Sequence, residues 1–180
     1  MPFVACTYDR HAAAILAILN DAILHSTALY DYKPRSIDMM IPWFDAKVKG
    51  GFPVIGVEDD DGTLMGFGSF GVFRAWPAYR YTVEHSIYVD GRYRRRGIGR
   101  RLLDELVRVA TAQHLHVMIG GIDTTNAASI ALHEQCGFEP CGVIRHAGFK
   151  FGRWLDLAFY QRILGDARPA LLDDRGNPVS

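Results

Sequence analysis

The chain has 180 residues, which fits one domain with room for a sizeable core. Its 20 Lys and Arg residues balance 20 Asp and Glu residues, so no global field favours nucleic acid or an anionic membrane surface as partner. Three cysteines without metal-ligand spacing (Cys6, Cys136 and Cys141) point to a reducing compartment and no disulfide framework, with a Cys136–Cys141 bridge as the lesser alternative.

No basic region precedes the first apolar stretch, and Asp9, Arg10 and His11 interrupt it, so no signal peptide is expected. No run approaches the roughly 18 apolar residues of a membrane span, and a cytoplasmic protein is expected. Phe3 to Tyr8 reads as a short strand. From Arg10 to Leu24 the apolar positions Ala14, Ile15, Ile18, Leu19, Ala22 and Ile23 recur at helical spacing. His25 to Arg35 is a loop. Ser36 is placed to cap a second helix that runs to about Lys49, where Gly50 and Gly51 stop it. Phe52 to Glu58 and Leu64 to Arg74 are strands, joined by the hairpin turn Asp59-Asp60-Asp61-Gly62. Tyr79 to Val89 is a long strand rich in aromatic and β-branched residues. Val83, His85, Ile87 and Val89 share one of its faces; Glu84, Ser86 and Tyr88 share the other. A helix follows from about Gly99 to His114, then a buried strand from His116 to Ile122. A helix from Asn126 to Cys136 ends at Gly137, and two last strands, Phe138 to Phe151 and Trp154 to Ile163, meet at Gly152-Arg153. This order predicts an α/β (α+β) protein with helices on both faces of a sheet: one domain over residues 1–164 and a loose tail over 165–180.

The sharpest local signal is Arg94-Arg95-Arg96-Gly97-Ile98-Gly99-Arg100-Arg101, which follows a strand and opens an amphipathic helix. A glycine-containing turn at a helix start turns backbone N–H groups outward, and the helix dipole favours an anion there. Flanking arginines add charge-assisted hydrogen bonds. Glycine matters because a Cβ would block close approach of a phosphate. The third glycine of a dinucleotide fingerprint and the Gly-Lys-Ser/Thr of a P-loop are both missing. A basic, solvated helix start or an RNA-binding patch is the plainer alternative.

The pattern Arg-x-x-Gly-x-Gly at Arg94, Gly97 and Gly99 resembles the pyrophosphate-binding motif of the GNAT superfamily of N-acetyltransferases. A second element, Asn126 followed by Ala-Ala-Ser-Ile-Ala-Leu-His-Glu-Gln-Cys-Gly-Phe, looks like that superfamily's later motif, in the expected order. The resemblance implies a GNAT-like mixed, mostly antiparallel twisted sheet of about seven strands, with acetyl-CoA as co-substrate. It assigns the coenzyme to the backbones of Ile87, Tyr88 and Val89, to Arg94, Arg95, Arg96, Gly97, Ile98, Gly99 and Arg100, and to Asn126. Read without the motif, Asn126 is a plain helix cap. The seven histidines show no metal-ligand spacing, so no metal is expected.

Acetyl transfer from a thioester to an amine requires that the amine lose a proton and that the developing oxyanion meet fixed donors. The departing thiolate gains from a proton donor. Glu84, central in the strand before the loop, is the candidate base: burial raises a carboxyl's pKa and suits it to take a proton, directly or through water. His133, about two turns after Asn126, is the second candidate, as donor to the thiolate or as relay. The alternatives are an outward-facing or salt-bridged Glu84 and a helix-surface His133. His85 ranks lower because it points to the opposite strand face. Cys136 reads as a small packed hydrophobe. The oxyanion is expected to meet backbone N–H groups near Ile87 to Val89.

Phe73 to Arg80 and Gly148 to Trp154 are aromatic and basic, and Thr27, Leu29 and Tyr30 lie between the first two helices. An aromatic wall with isolated Arg and Lys suits a small anionic ligand such as an amino acid better than a polycation. Four segments (Tyr79 to Val89, the Arg94 loop, Leu132 to Glu134 and Gly148 to Asp156) are similar to the phosphinothricin and methionine sulfoximine acetyltransferase subfamily. That closer resemblance runs from roughly Val4 to Ile163. It implies acetylation of the α-amino group of a small amino-acid analogue, catalysis by Glu84 and His133, and a homodimer. Substrate contacts are implied for Arg74, Ala75 and Trp76 and for Glu84, His85 and Ser86, with Tyr30, Arg80 and Lys150 expected beside them. Phe149 departs from relatives that carry Tyr. Two rival readings stay open: a protein N-terminal or lysine acetyltransferase, which needs an open groove, and a CoA-binding module without catalysis, which needs neither Glu84 nor His133.

Overall fold

The computed structural model describes residues 1–165, so the expected tail falls, beyond Gly165, outside the described residues. The strands are β1 (Phe3–Ala5), β2 (Val54–Glu58), β3 (Leu64–Val72), β4 (Thr82–Val89), β5 (Val117–Asp123), β6 (Glu139–Lys150) and β7 (Arg153–Ile163). The helices are α1 (Tyr8–His25), α2 (Met40–Lys49), α3 (Ile98–Ala112) and α4 (Ala127–Gln135). All seven strands form one sheet in the order β1-β2-β3-β4-β5-β7-β6. Every pairing is antiparallel except β4 with β5.

β2 and β3 are buried almost throughout, because an apolar layer covers each face of the sheet. On one face α3 sets Leu102, Leu103 and Leu106 against Phe70, Val83 and Met118. On the other, α1 and α2 set Ile15, Leu19, Met40 and Phe44 against Phe67. Each such side chain contributes roughly 1.5–3 kcal/mol on leaving water, so both layers are needed to hold the sheet.

Several expected boundaries move. Tyr8 starts α1 and not the end of the first strand, which stops at Ala5. Ser36 precedes a 3-10 turn at Ile37–Met39 and makes no side-chain cap bond; α2 begins only at Met40. β4 begins at Thr82 and not at Tyr79, because the Tyr79 and Arg80 N–H groups are used to close a 3-10 turn at Pro77–Tyr79, donating to the carbonyls of Trp76 and Pro77.

One departure from regularity positions everything that follows. β4 and β5 pair only at Thr82↔Val117, Val83↔Met118 and Glu84↔Ile119. Beyond Glu84, β4 continues to Val89 against β3 alone. Beyond Ile119, β5 continues to Asp123 against β7 alone. The two central strands therefore part at Glu84, in the middle of the sheet.

Candidate active site

The groove that opens from this parting has a volume of about 940 Å³. Ile87, Tyr88, Val89, Arg94, Arg95, Gly97, Ile98, Gly99, Arg100 and Asn126 line it, facing Ile18, Ala22 and Ser26. Gly97 sits at the α3 N-cap with φ 74°, and a Cβ there would meet nothing within 4 Å, so its backbone angle is what calls for glycine. The first helical bond runs from the Arg101 N–H to the Gly97 carbonyl at 3.1 Å. The amides of Ile98, Gly99 and Arg100 thus precede the helical ladder and can face a ligand. Gly99 serves packing: a Cβ would lie 3.2 Å from Leu132 Cδ2. Asn126 caps α4, its Oδ1 accepting the Ser129 N–H at 3.1 Å, while also lining the groove. Arg96 is the exception among the expected coenzyme residues: its guanidinium lies 5.3 Å from the Tyr93 ring centre, and it is not part of the groove wall.

Bare amides, arginines and a strand edge without a partner are the donor set that a diphosphate with an amide-bearing arm requires, so the groove fits coenzyme A. Among the described residues no cluster of three His, Cys, Asp or Glu side chains is arranged to hold a metal ion.

A second cavity of about 280 Å³ adjoins the groove, walled by Tyr30, Glu84, His85, Ser86, Gly120, Gly121, Asp123 and His133, among others. Glu84 is half-buried. Burial pushes its carboxyl above the usual range, and the positive charge of Arg74 opposes that push. His85 and His133 stand together in the cavity wall beside Gly120. Their Nε2 atoms are 3.1 Å apart and their rings are nearly parallel at 23°. Burial lowers both pKa values, that of His85 to about 3, so both rings are neutral at physiological pH. His133 also places Nδ1 2.7 Å from the Ser129 carbonyl oxygen.

Sequence reasoning passed over two features here. The first is the Gly120-Gly121 pair. A Cβ on Gly120 would come within 2.9 Å of both histidine Nε2 atoms, and one on Gly121 within 3.3 Å of Glu84 Oε1. Two glycines inside a buried strand are a recognisable sign of close approach by other groups. The second is Asp123, the buried end of β5. Burial acts to raise its carboxyl, yet hydrogen bonds from Thr27 and Thr125 bring it below the usual range. It ties the loop after β5 to the loop after α1.

The expected substrate residues divide. Tyr30, Glu84, His85 and Ser86 share the cavity, and the Tyr30 hydroxyl is buried without a hydrogen-bond partner among the described residues. Arg74, Ala75, Trp76 and Arg80 are exposed outside its wall, Trp76 at 72%. Lys150 is only 4% exposed, and its ammonium donates to the carbonyls of Ile23, Ser26 and Leu29 at 2.6–2.8 Å. Those bonds use all three of its protons, so it anchors the end of α1 and offers no N–H to a ligand.

Residues 20–138 match the model of the Acetyltransferase (GNAT) family. The chain is 44% identical over 156 residues to an L-methionine sulfoximine/L-methionine sulfone acetyltransferase of Pseudomonas paraeruginosa, a match covering 87% of this chain and 91% of the relative. A solved N-acetyltransferase structure from Staphylococcus aureus is 44% identical with a TM-score of 0.89, covering 91% of this chain and 98% of that one. A phosphinothricin acetyltransferase from Sinorhizobium meliloti, solved in complex with acetyl-CoA, is 37% identical with a TM-score of 0.88, covering 92% and 89%. With its sheet order, parted central strands and Arg94 to Arg100 turn, the chain belongs to the GNAT family of acetyltransferases.

Proposed function

We propose that this enzyme transfers the acetyl group of acetyl-CoA to the α-amino group of a small amino-acid analogue of the methionine sulfoximine, methionine sulfone or phosphinothricin type. The observation that carries the reading is the parting of β4 and β5 at Glu84, which opens the coenzyme-shaped groove and the small cavity onto one another. When bound, acetyl-CoA supplies a thioester carbonyl open to attack by an amine. The chain's own residues do the rest. Glu84, its carboxyl raised by burial, takes the proton that the amine must shed, directly or through a water. The C–N bond then forms as the C–S bond breaks, and the backbone amides of the β4 edge from Ile87 to Val89 stabilise the negative charge on the carbonyl oxygen. His133 forms part of the cavity wall, with its nitrogens already committed to Ser129 and His85. Tyr30 and Ser86 hold the substrate inside, and Arg74, Ala75, Trp76 and Arg80 serve it from the exposed loop.

The size of the cavity, about 280 Å³, favours a free amino-acid analogue over a peptide or protein tail. The same reading includes a homodimer in the cytoplasm, supported by exposed Trp76, Val143, Ile144 and Trp154, and a role in resistance to toxic amino-acid analogues. A thiol-release assay with acetyl-CoA tests the activity against methionine sulfoximine, methionine sulfone, phosphinothricin, free amino acids, polyamines and peptides. Turnover is expected with the first three. Turnover with peptides and none with those three overturns the reading.

A further inference from the structure

The hairpin between β6 and β7 turns at Lys150-Phe151-Gly152-Arg153, with Lys150 paired to Arg153. Its two central residues, Phe151 at φ 51° and Gly152 at φ 74°, give the type I′ pattern, which calls for Asn, Asp or Gly. Gly152 fits. Phe151 does not: a bulky side chain at positive φ is costly, and Asn would carry that angle more easily. The side chain gains little shelter in return, being 58% exposed. An exposed Phe alone is ordinary, but one retained against the preference of its own turn calls for a use.

The position of the ring supplies one. Phe151 lines the groove together with Ser26, Thr27, Asn126 and Ser129. Anchors on both sides of the turn fix it there. Before it, Lys150 binds the carbonyls of Ile23, Ser26 and Leu29, and its ammonium lies 5.0 Å from the Phe151 ring centre. After it, Arg153 donates to Thr125 Oγ1 at 3.1 Å and pairs with Asp123 at 3.5 Å. Leu29 and Asp123 also wall the small cavity, so the turn is held at the end of the groove that meets the cavity. The part of the coenzyme that must reach this end is the sulfur end of its arm, because the thioester carbonyl has to meet the amine beside Glu84.

Resting on the placement of coenzyme A in this groove, we infer that Phe151 is a coenzyme-binding residue: the hairpin turn holds its ring at the groove so that the ring covers the sulfur end of the arm. Burying that exposed ring against the arm is favourable, which offsets the cost of a Phe at this turn position. The β6–β7 hairpin thereby adds a wall to a site otherwise built from β4 and the ends of α1, α3 and α4.

Calorimetry on the full chain compares CoA with the nucleotide end of CoA, which is adenosine with its phosphates and no arm. Phe151→Asn suits the turn and removes the ring. It is expected to bind CoA about tenfold more weakly, in line with partial burial of an aromatic side chain, and to bind the nucleotide end as the native enzyme does. It is also expected to melt no lower than the native enzyme, because Asn favours the turn. Phe151→Tyr keeps the ring and the native affinity. Unchanged CoA affinity in Phe151→Asn overturns the inference, and so does an equal loss for both ligands. A loss that accompanies a change in sedimentation places the ring between two copies of the chain and overturns it as well. If the native enzyme binds neither ligand, the placement of the coenzyme in the groove falls, and this inference falls with it.

Discussion

Glu84 Oε1 lies 3.3 Å from the point that a Cβ on Gly121 would occupy. The candidate base is thus seated over bare backbone of the neighbouring strand, at the last pairing before β4 and β5 separate. Gly121→Ala forces the carboxylate aside by a few tenths of an ångström. The loss should be about tenfold in kcat, in proportion to the roughly 100-fold cost of a 1 Å misplacement. Thermal melting should change little, since the carboxylate end can give way. Gly120→Ala differs, because its methyl group would stand 2.9 Å from two packed imidazoles. It should destabilise the fold by about 1–3 kcal/mol in urea titration.

Glu84→Gln separates activity from stability. Removing the base should lower kcat about 100- to 10,000-fold, while acetyl-CoA affinity by calorimetry stays near that of the native enzyme. The folded-state pKa of Glu84 is raised, so the folded protein holds this proton more firmly than the unfolded chain does. That contribution to stability is full below the ordinary Glu range and is lost as pH rises through the raised value. Above it the native enzyme bears a poorly solvated charge that the amide lacks. The variant should therefore melt higher than the native enzyme at pH 8, with the two converging as pH falls. A pH–rate profile should fall on the acid side as the carboxylate takes up its proton.

Lys150→Met leaves the carbonyls of Ile23, Ser26 and Leu29 without their shared donor. The cost should be about 3 kcal/mol in urea titration, as for other buried charged donors. Thr27 and Ala28, which follow α1, line both groove and cavity. KM should therefore rise for both substrates, a pattern that a residue contacting the amine alone would not give.

The arginine cluster should not act uniformly. Arg100 lines the groove, and Arg100→Ala should weaken acetyl-CoA binding about tenfold, the value of one charge-assisted hydrogen bond. Arg96 stacks near Tyr93, and Arg96→Ala should weaken it less than about threefold. Calorimetry at low and moderate salt checks both.

The glycine turn at the start of α3, the place of Glu84 in β4 and the strand faces were legible because they depend on short-range rules: a glycine at a helix start, a period of two, a carboxylate in an apolar strand. The sequence alone offers less on pairs distant along the chain. His85 faces away from Glu84 on β4, which argued against it; yet the strands part there, so residues of both faces reach one cavity. Lys150 looked like a ligand for an anion, because nothing near it in sequence reveals that the end of α1, more than 120 positions earlier, supplies three carbonyls. Arg74, Ala75, Trp76 and Arg80 were expected at the substrate from the resemblance and from an aromatic and basic composition, neither of which shows that they lie on an exposed loop around the turn at Pro77–Tyr79, outside the cavity wall.

The interrupted β4–β5 ladder has a thermodynamic corollary. A coenzyme arm laid along the bare stretch from Ile87 to Val89 acts as a splint, filling the place of the absent rungs. A splint that fits only the native chain shifts unfolding by mass action, about 2.7 kcal/mol at a hundredfold excess over its dissociation constant. Amide hydrogens of β4 should then exchange more slowly in the loaded enzyme than in the free one, and this protection should vanish each time spent CoA departs.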